Sequence, residues 1–259
     1  MHKTLNFADH LRLIDERSTV FRAALAAAPD LDAQVPSCPD WTLFDLAQHM
    51  GQSRRRWAAT VAAGPADTPP AGFEPGRGPV APRGREELLA WSAESTELML
   101  EALREAGPDR GCWTWWGKSL SPQTSGAVAR HQLLEISVHT YDAQLTLGAP
   151  QPLPDAVALD GVEDFLHTCN ATTSPWPHEP AVLDYHIAGG RSWRLRFDAQ
   201  GARPILLPAA GEAPEAADLS ARGTADELVM TMYGRAPLES LKLDGDRRVL
   251  DRLVEWVPE

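Results

Sequence analysis

The stretch 130–144 (RHQLLEISVHTYDAQ) is apolar around most of a helix's circumference, with Leu133, Leu134, Ile136 and Val138, yet it carries His131, Glu135, His139 and Asp142. A helix of that pattern has to be buried by other elements, and a buried carboxylate beside a buried imidazole needs a partner. Glu135 and His139 stand four residues apart, so they project from one face, one above the other. A second helical stretch, 40–52 (DWTLFDLAQHMGQ), offers His49. Together His49, Glu135 and His139 form a facial two-histidine, one-carboxylate set that leaves coordination positions open, as a catalytic metal requires. Each residue also has a plainer reading: His49 as a hydrogen-bonded helical histidine, Glu135 and His139 as an i,i+4 surface pair. His131 is either a fourth ligand or a pocket or surface residue, and Asp142 either orients a ligand ring or faces solvent.

Hydrophobic periodicity predicts four helices before residue 147, over 5–28, 42–64, 85–106 and 122–147. The second opens on Thr42, with Asp45 three residues on, and the fourth stops at Gly148 with Pro150 beyond. The Pro/Gly-rich segment 65–83 cannot hold a helix and reads as a long crossover. Four helices with one long connection describe a four-helix bundle, whose interior can hold metal ligands on facing helices. Beyond Pro154 the pattern changes. A helix over 155–170 is followed by short alternating segments at 181–187, 192–197, 204–207 and 217–221, the first two joined by Gly189 and Gly190 as an antiparallel hairpin. Helices at 224–233 and 246–257 flank a last strand at 241–243. The expected organisation is a helical bundle over 1–152 and a small α+β domain over 153–259.

The 259 residues carry a net charge of -12, the wrong sign for a protein that releases counterions from nucleic acid. A small-molecule partner is expected instead. No segment resembles a signal peptide or a membrane span, and Cys38, Cys112 and Cys169 form no C-x-x-C pair, so a cytoplasmic protein with free thiols is expected, as monomer or homodimer. Three further features bear on a site. Arg54-Arg55-Arg56 follows His49, and Arg56, two turns on along the same face, is placed to meet an anionic thiol or substrate, although such runs are usually solvated. The cluster Cys112-Trp113-Thr114-Trp115-Trp116-Gly117 is either a pocket wall or a core anchor. Cys38 reads as a small apolar structural residue.

The runs Val35-Pro36-Ser37-Cys38-Pro39-Asp40-Trp41-Thr42 with Asp45-Leu46 and His49, Glu135 with Val138-His139 and Tyr141-Asp142-Ala143, and Gly223 with Leu228 and Gly234-Arg235 resemble the mycothiol-dependent maleylpyruvate isomerase family over nearly the whole chain. The resemblance implies a DinB-like helical bundle with a zinc site, followed by an α+β, sterol-carrier-like domain. It implies His49, Glu135 and His139 as zinc ligands, and Arg235 as an essential cation from the second domain. Thr140 stands where the family carries an arginine, so a basic residue that could hold a dicarboxylate is absent there.

An open zinc site of this kind deprotonates a coordinated thiol. With mycothiol as cosubstrate and Arg235 against a carboxylate or enolate, the expected activity is thiol transfer to a small electrophile, or thiol-assisted cis-trans isomerisation. Another divalent metal suits the same ligands, iron(II) in an oxygenase among them, and the bundle could instead serve as a non-catalytic binding module.

Overall fold

Thr42 and Asp45 close a reciprocal cap at the start of the second helix: the Thr42 hydroxyl accepts from the Asp45 amide at 3.2 Å, and the Asp45 carboxylate accepts from the Thr42 amide at 2.9 Å. Asn6 with Asp9 and Thr224 with Glu227 cap two further helices in the same way. The computed structural model describes residues 4–70, 78–188, 190–208 and 216–258. Its contacts divide the chain into two units, Met1–Gly117 with Pro122–Val157, and Lys118–Ser121 with Ala158–Glu259.

The first unit is built on α1 (Phe7–Ala27), α2 (Leu43–Ala63), α3 (Arg85–Ala106) and α4 (Ser125–Thr146). Helix α2 packs along α3 and α1 along α4, around a shared core that includes Phe21, Leu25, Leu46, Met50, Leu100, Leu103 and Ile136. Each such side chain stabilises the fold by about 2 kcal/mol. Helix α4 is buried on nearly all sides, as its sequence requires. Part of the crossover, residues 71–77, lies outside the described residues. Ahead of α2 stands an element absent from the sequence reading. A short hairpin pairs β1 (Gln34–Val35) with β2 (Cys38–Thr42) across a turn made by Pro36 and Ser37.

The second unit contains α5 (the helix Asp155–Phe165, which begins in the first unit), a π turn at Leu166–Asn170, and a sheet of β3 (Ala181–Ile187), β4 (Ser192–Asp198), β5 (Gly201–Leu206), β6 (Leu219–Gly223) and β7 (Lys242–Gly245) in the order β5-β4-β3-β6-β7. The sheet is not wholly antiparallel as expected: β3 and β6 run parallel, with Leu183 opposite Leu219 and Ile187 opposite Gly223. After β5 the chain returns to the far side of β3, and alternation of side chains cannot reveal such a change of neighbour. Gly189 of the expected hairpin turn lies outside the described residues. One sheet face buries Trp193, Leu195 and Phe197. On the other, Arg194 of β4 pairs bidentately with Asp184 of β3 at 2.7 and 2.8 Å. Helices α6 (Ala225–Met232) and α7 (Arg248–Glu255) complete the unit. Among the described residues no helix is long and apolar enough to cross a membrane.

Candidate metal centre

His49 lies in the second turn of α2, and Glu135 and His139 lie on successive turns of α4. The bundle brings them together: one ligand atom from each lies within 4.8 Å of the other two. His139 Nε2 is 3.9 Å from Glu135 Oε2, and the two imidazoles meet edge to face with centroids 5.3 Å apart. Donors bound at about 2.0–2.2 Å to one zinc ion lie roughly 3.5 Å from one another, so a modest closure of this set suffices.

The electrostatics suit a ligand set. Burial first, then the neighbouring His139, push the His49 imidazole down to about 4, with Glu135 opposing, so His49 is neutral and keeps a lone pair for coordination. His139 Nδ1 lies 2.9 Å from Asp142 Oδ2, which occupies that nitrogen and leaves Nε2 facing Glu135. Asp142 is fully buried, which rules out a solvent-facing acid. A carboxylate behind a histidine is the arrangement that orients metal-bound imidazoles. The donor chemistry therefore fits a divalent cation held by two nitrogens and one oxygen.

Three contributors were missed by reasoning from sequence. Trp41, next to the Thr42 cap, lies over both rings, 4.6 Å from His49 and 6.2 Å from His139 between centroids. Ser37 Oγ donates to Asp142 Oδ1 at 2.6 Å, and Cys38 Sγ lies 3.8 Å from Oδ2. Cys38 is thus a polar neighbour of Asp142 and not merely an apolar filler. The run that carries Ser37, Cys38 and Trp41 was a signal, but nothing local says that it folds back on α4.

The remaining candidates separate. Among the described residues the metal cluster consists of His49, Glu135 and His139, and His131 stands outside it. His131 is buried with Nε2 3.8 Å from Glu135 Oε1, its ring flanked edge-on by Trp115 and Trp116 at 5.6 and 5.3 Å. Trp116 is a core anchor, 5.4 Å from Trp57, whereas Trp115 is 50% exposed.

The arginine run is not a solvated face. Arg54 is buried and donates to Thr96, and Arg55 binds Ser95 and Glu94 of α3. Arg56 is half-buried, and its charge reaches His49. Thr140 is buried against α1, its hydroxyl donating to the Ile136 carbonyl at 2.6 Å and lying 3.3 Å from the Arg17 carbonyl. Position 140 therefore belongs to the α1–α4 packing. Arg235 belongs to the second unit, just after Gly234, whose φ of 68° ends α6. Its amide bonds the Met230 carbonyl at 2.7 Å and its Nη1 the Tyr233 carbonyl at 2.8 Å.

Residues 11–144 match the mycothiol maleylpyruvate isomerase N-terminal domain, and residues 156–252 match the MDMPI C-terminal domain. Among solved structures, the crystal structure of the mycothiol-dependent maleylpyruvate isomerase is similar at a TM-score of 0.57 and 14% identity, covering 93% of this chain and 95% of that one. A histidine-to-alanine mutant of that isomerase gives a TM-score of 0.56 at 14% identity over the same shares. No curated protein matches the sequence. The fold is the DinB-like bundle followed by an α+β domain.

Proposed function

Because the chain belongs to the mycothiol maleylpyruvate isomerase family, we propose that it is a metal-dependent enzyme using mycothiol to act on a small carboxylated electrophile. The observation that carries this reading is the convergence of His49, Glu135 and His139 within 4.8 Å, inside the segment that matches the family's N-terminal domain. These three would hold zinc, whose preference for imidazole and carboxylate donors they meet. When bound, zinc supplies Lewis acidity that favours the thiolate form of an entering thiol at neutral pH.

The protein's own groups supply the rest. Asp142 keeps the His139 proton on Nδ1, so that Nε2 remains a ligand, and Trp41 packs against both rings. Arg56 is assigned to an anionic group of the thiol or substrate. Arg235 is assigned to the substrate carboxylate, and to the enolate that forms when the thiolate sulfur bonds to one alkene carbon and the π pair moves to the conjugated carbonyl. If Arg235 holds that enolate through rotation about the carbon–carbon bond that was the alkene, re-expulsion of the thiolate as the double bond re-forms gives the geometric isomer. Protonation of the enolate instead leaves a thioether, the transferase outcome. Cys38, Cys112 and Cys169 are thiols outside any disulfide, which fits a reducing compartment, and we place the enzyme in the cytoplasm.

The test is to incubate zinc-loaded protein with mycothiol and a panel of cis-α,β-unsaturated carboxylates, following alkene protons by NMR. A thiol-dependent change of alkene geometry or a new thioether is expected, absent in Glu135→Gln. Turnover that needs iron(II) and oxygen and no thiol overturns the proposal in favour of an oxygenase, and ligand binding unaffected by Glu135→Gln favours a non-catalytic module.

A further inference from the structure

Asp142 is a fully buried carboxylate, and such a group is kept charged and fixed only by the donors that surround it. Its Oδ2 takes His139 Nδ1 at 2.9 Å from its own helix, and its Oδ1 takes Ser37 Oγ at 2.6 Å from the turn between β1 and β2. Cys38, the next residue, places Sγ 3.8 Å from Oδ2, a weak contact. From that turn, β2 runs directly to Trp41, which covers His49 and His139, and to Thr42, which caps the helix carrying His49. One short hairpin therefore touches both sides of the ligand cluster. At one end it fixes the support behind His139, and at the other the start of the helix that presents His49.

We propose that Ser37 is a positioning residue of the metal centre: by holding Asp142 Oδ1 it sets the carboxylate plane that aims His139 Nε2 at the ion. Without the Ser37 hydroxyl the carboxylate keeps His139 Nδ1 on Oδ2 but loses the 2.6 Å donor on Oδ1, so the plane that orients the His139 ring is held less firmly. Cys38 is a minor contributor, because a thiol at 3.8 Å is a poor donor. The role is distinct from packing, since Ser37→Ala removes one oxygen from a turn and leaves the bundle core intact. The inference rests on reading His49, Glu135 and His139 as metal ligands.

The test is zinc competition against a chromophoric chelator, with apo protein and the variants Ser37→Ala, Ser37→Thr and Cys38→Ala. Ser37→Ala is expected to weaken zinc about tenfold, the lower end of what loss of a partner behind a ligand costs. Ser37→Thr, which restores a hydroxyl, is expected to recover affinity to within about threefold of the parent, and Cys38→Ala to stay within the same range. Cobalt(II) substitution should show visible bands altered in Ser37→Ala and restored in Ser37→Thr. Unchanged affinity in Ser37→Ala overturns the proposal, as does a Ser37→Thr protein as weak as Ser37→Ala. A Ser37→Ala protein whose apo form melts lower but binds zinc normally assigns a structural role only, and also overturns it. Failure of the unaltered protein to bind zinc overturns the metal-centre reading itself.

Discussion

The imidazoles of His49 and His139 face each other edge to face, 5.3 Å between centroids, each contributed by a different helix of one bundle. Neither histidine alone defines a site. The pair does, because Glu135 lies one turn before His139 and the fold brings α2 alongside α4. His49→Ala, Glu135→Gln and His139→Ala should each lower divalent-metal affinity by more than the roughly 100-fold that loss of an orienting partner can cost, and remove thiol-dependent activity with it. Dialysis against a chelator should abolish activity in the parent, and added zinc should restore it. Metal content by elemental analysis and turnover, measured on the same samples, check this; activity that survives complete metal removal would sink it.

The two arginines assigned to the reaction should separate kinetically. Arg56 is half-buried, and its charge bears on His49. If it meets an anionic group present in both ground and transition states, Arg56→Met should raise KM and leave kcat nearly unchanged. Arg235, if it meets charge that develops during reaction, should lower kcat about 100-fold as Arg235→Met, the loss typical of removing one preorganised donor. Steady-state kinetics at saturating metal distinguish the two. Equal effects on kcat from both variants would contradict the assignment.

Arg54 makes a different prediction because it is 2% exposed and its Nε and Nη2 are buried without a hydrogen-bond partner. Burial, with the nearby Arg22 charge, pushes its guanidinium down to about 9, with Asp15 opposing. A buried cation so poorly matched adds little net stability. Replacing it with an apolar side chain of similar length should therefore cost less than about 1 kcal/mol or raise stability. Arg54→Met should unfold in urea at a midpoint equal to or above that of the parent. A loss of about 3 kcal/mol, the cost of breaking a well-paired buried charge, would show that the guanidinium is compensated.

How much of this was legible in the sequence follows from the range over which each signal acts. The helix starts at Thr42 and Thr224, the breadth of the apolar surface on α4 and the i,i+4 placement of Glu135 and His139 are local, and each reappears in the fold. The meeting of His49 with that pair is long-range: the burial of α4 asks for a neighbouring helix, but it is the family resemblance that implies His49 as the residue facing Glu135 and His139. The β1–β2 hairpin was not legible, because Pro36 and Pro39 read as breakers and β1 spans only Gln34–Val35. The contact of Ser37 with Asp142, the parallel pairing of β3 with β6 and the burial of Arg54 against Thr96 each depend on a partner far along the chain. No periodicity encodes which residue that partner is.

The spacing of α2 against α3 yields the last prediction. Gly51 lies two residues after His49, and a Cβ added there would stand 2.0, 2.3 and 2.8 Å from Cζ3, Cη2 and Cε3 of Trp91. Gly51→Ala sets two effects against each other. Alanine favours the helix by about 1 kcal/mol over glycine, whereas forcing a methyl group into a packed interface costs about 1–3 kcal/mol. The Trp91 ring is also held by the Arg55 guanidinium 5.3 Å from its centroid, so it does not yield freely, and the steric cost should win. Gly51→Ala should therefore lower the denaturation midpoint. In a Trp91→Leu background the clash is gone and the same substitution should raise it. That reversal of sign is the measurement to make, because general damage to α2 would lower the midpoint in both backgrounds.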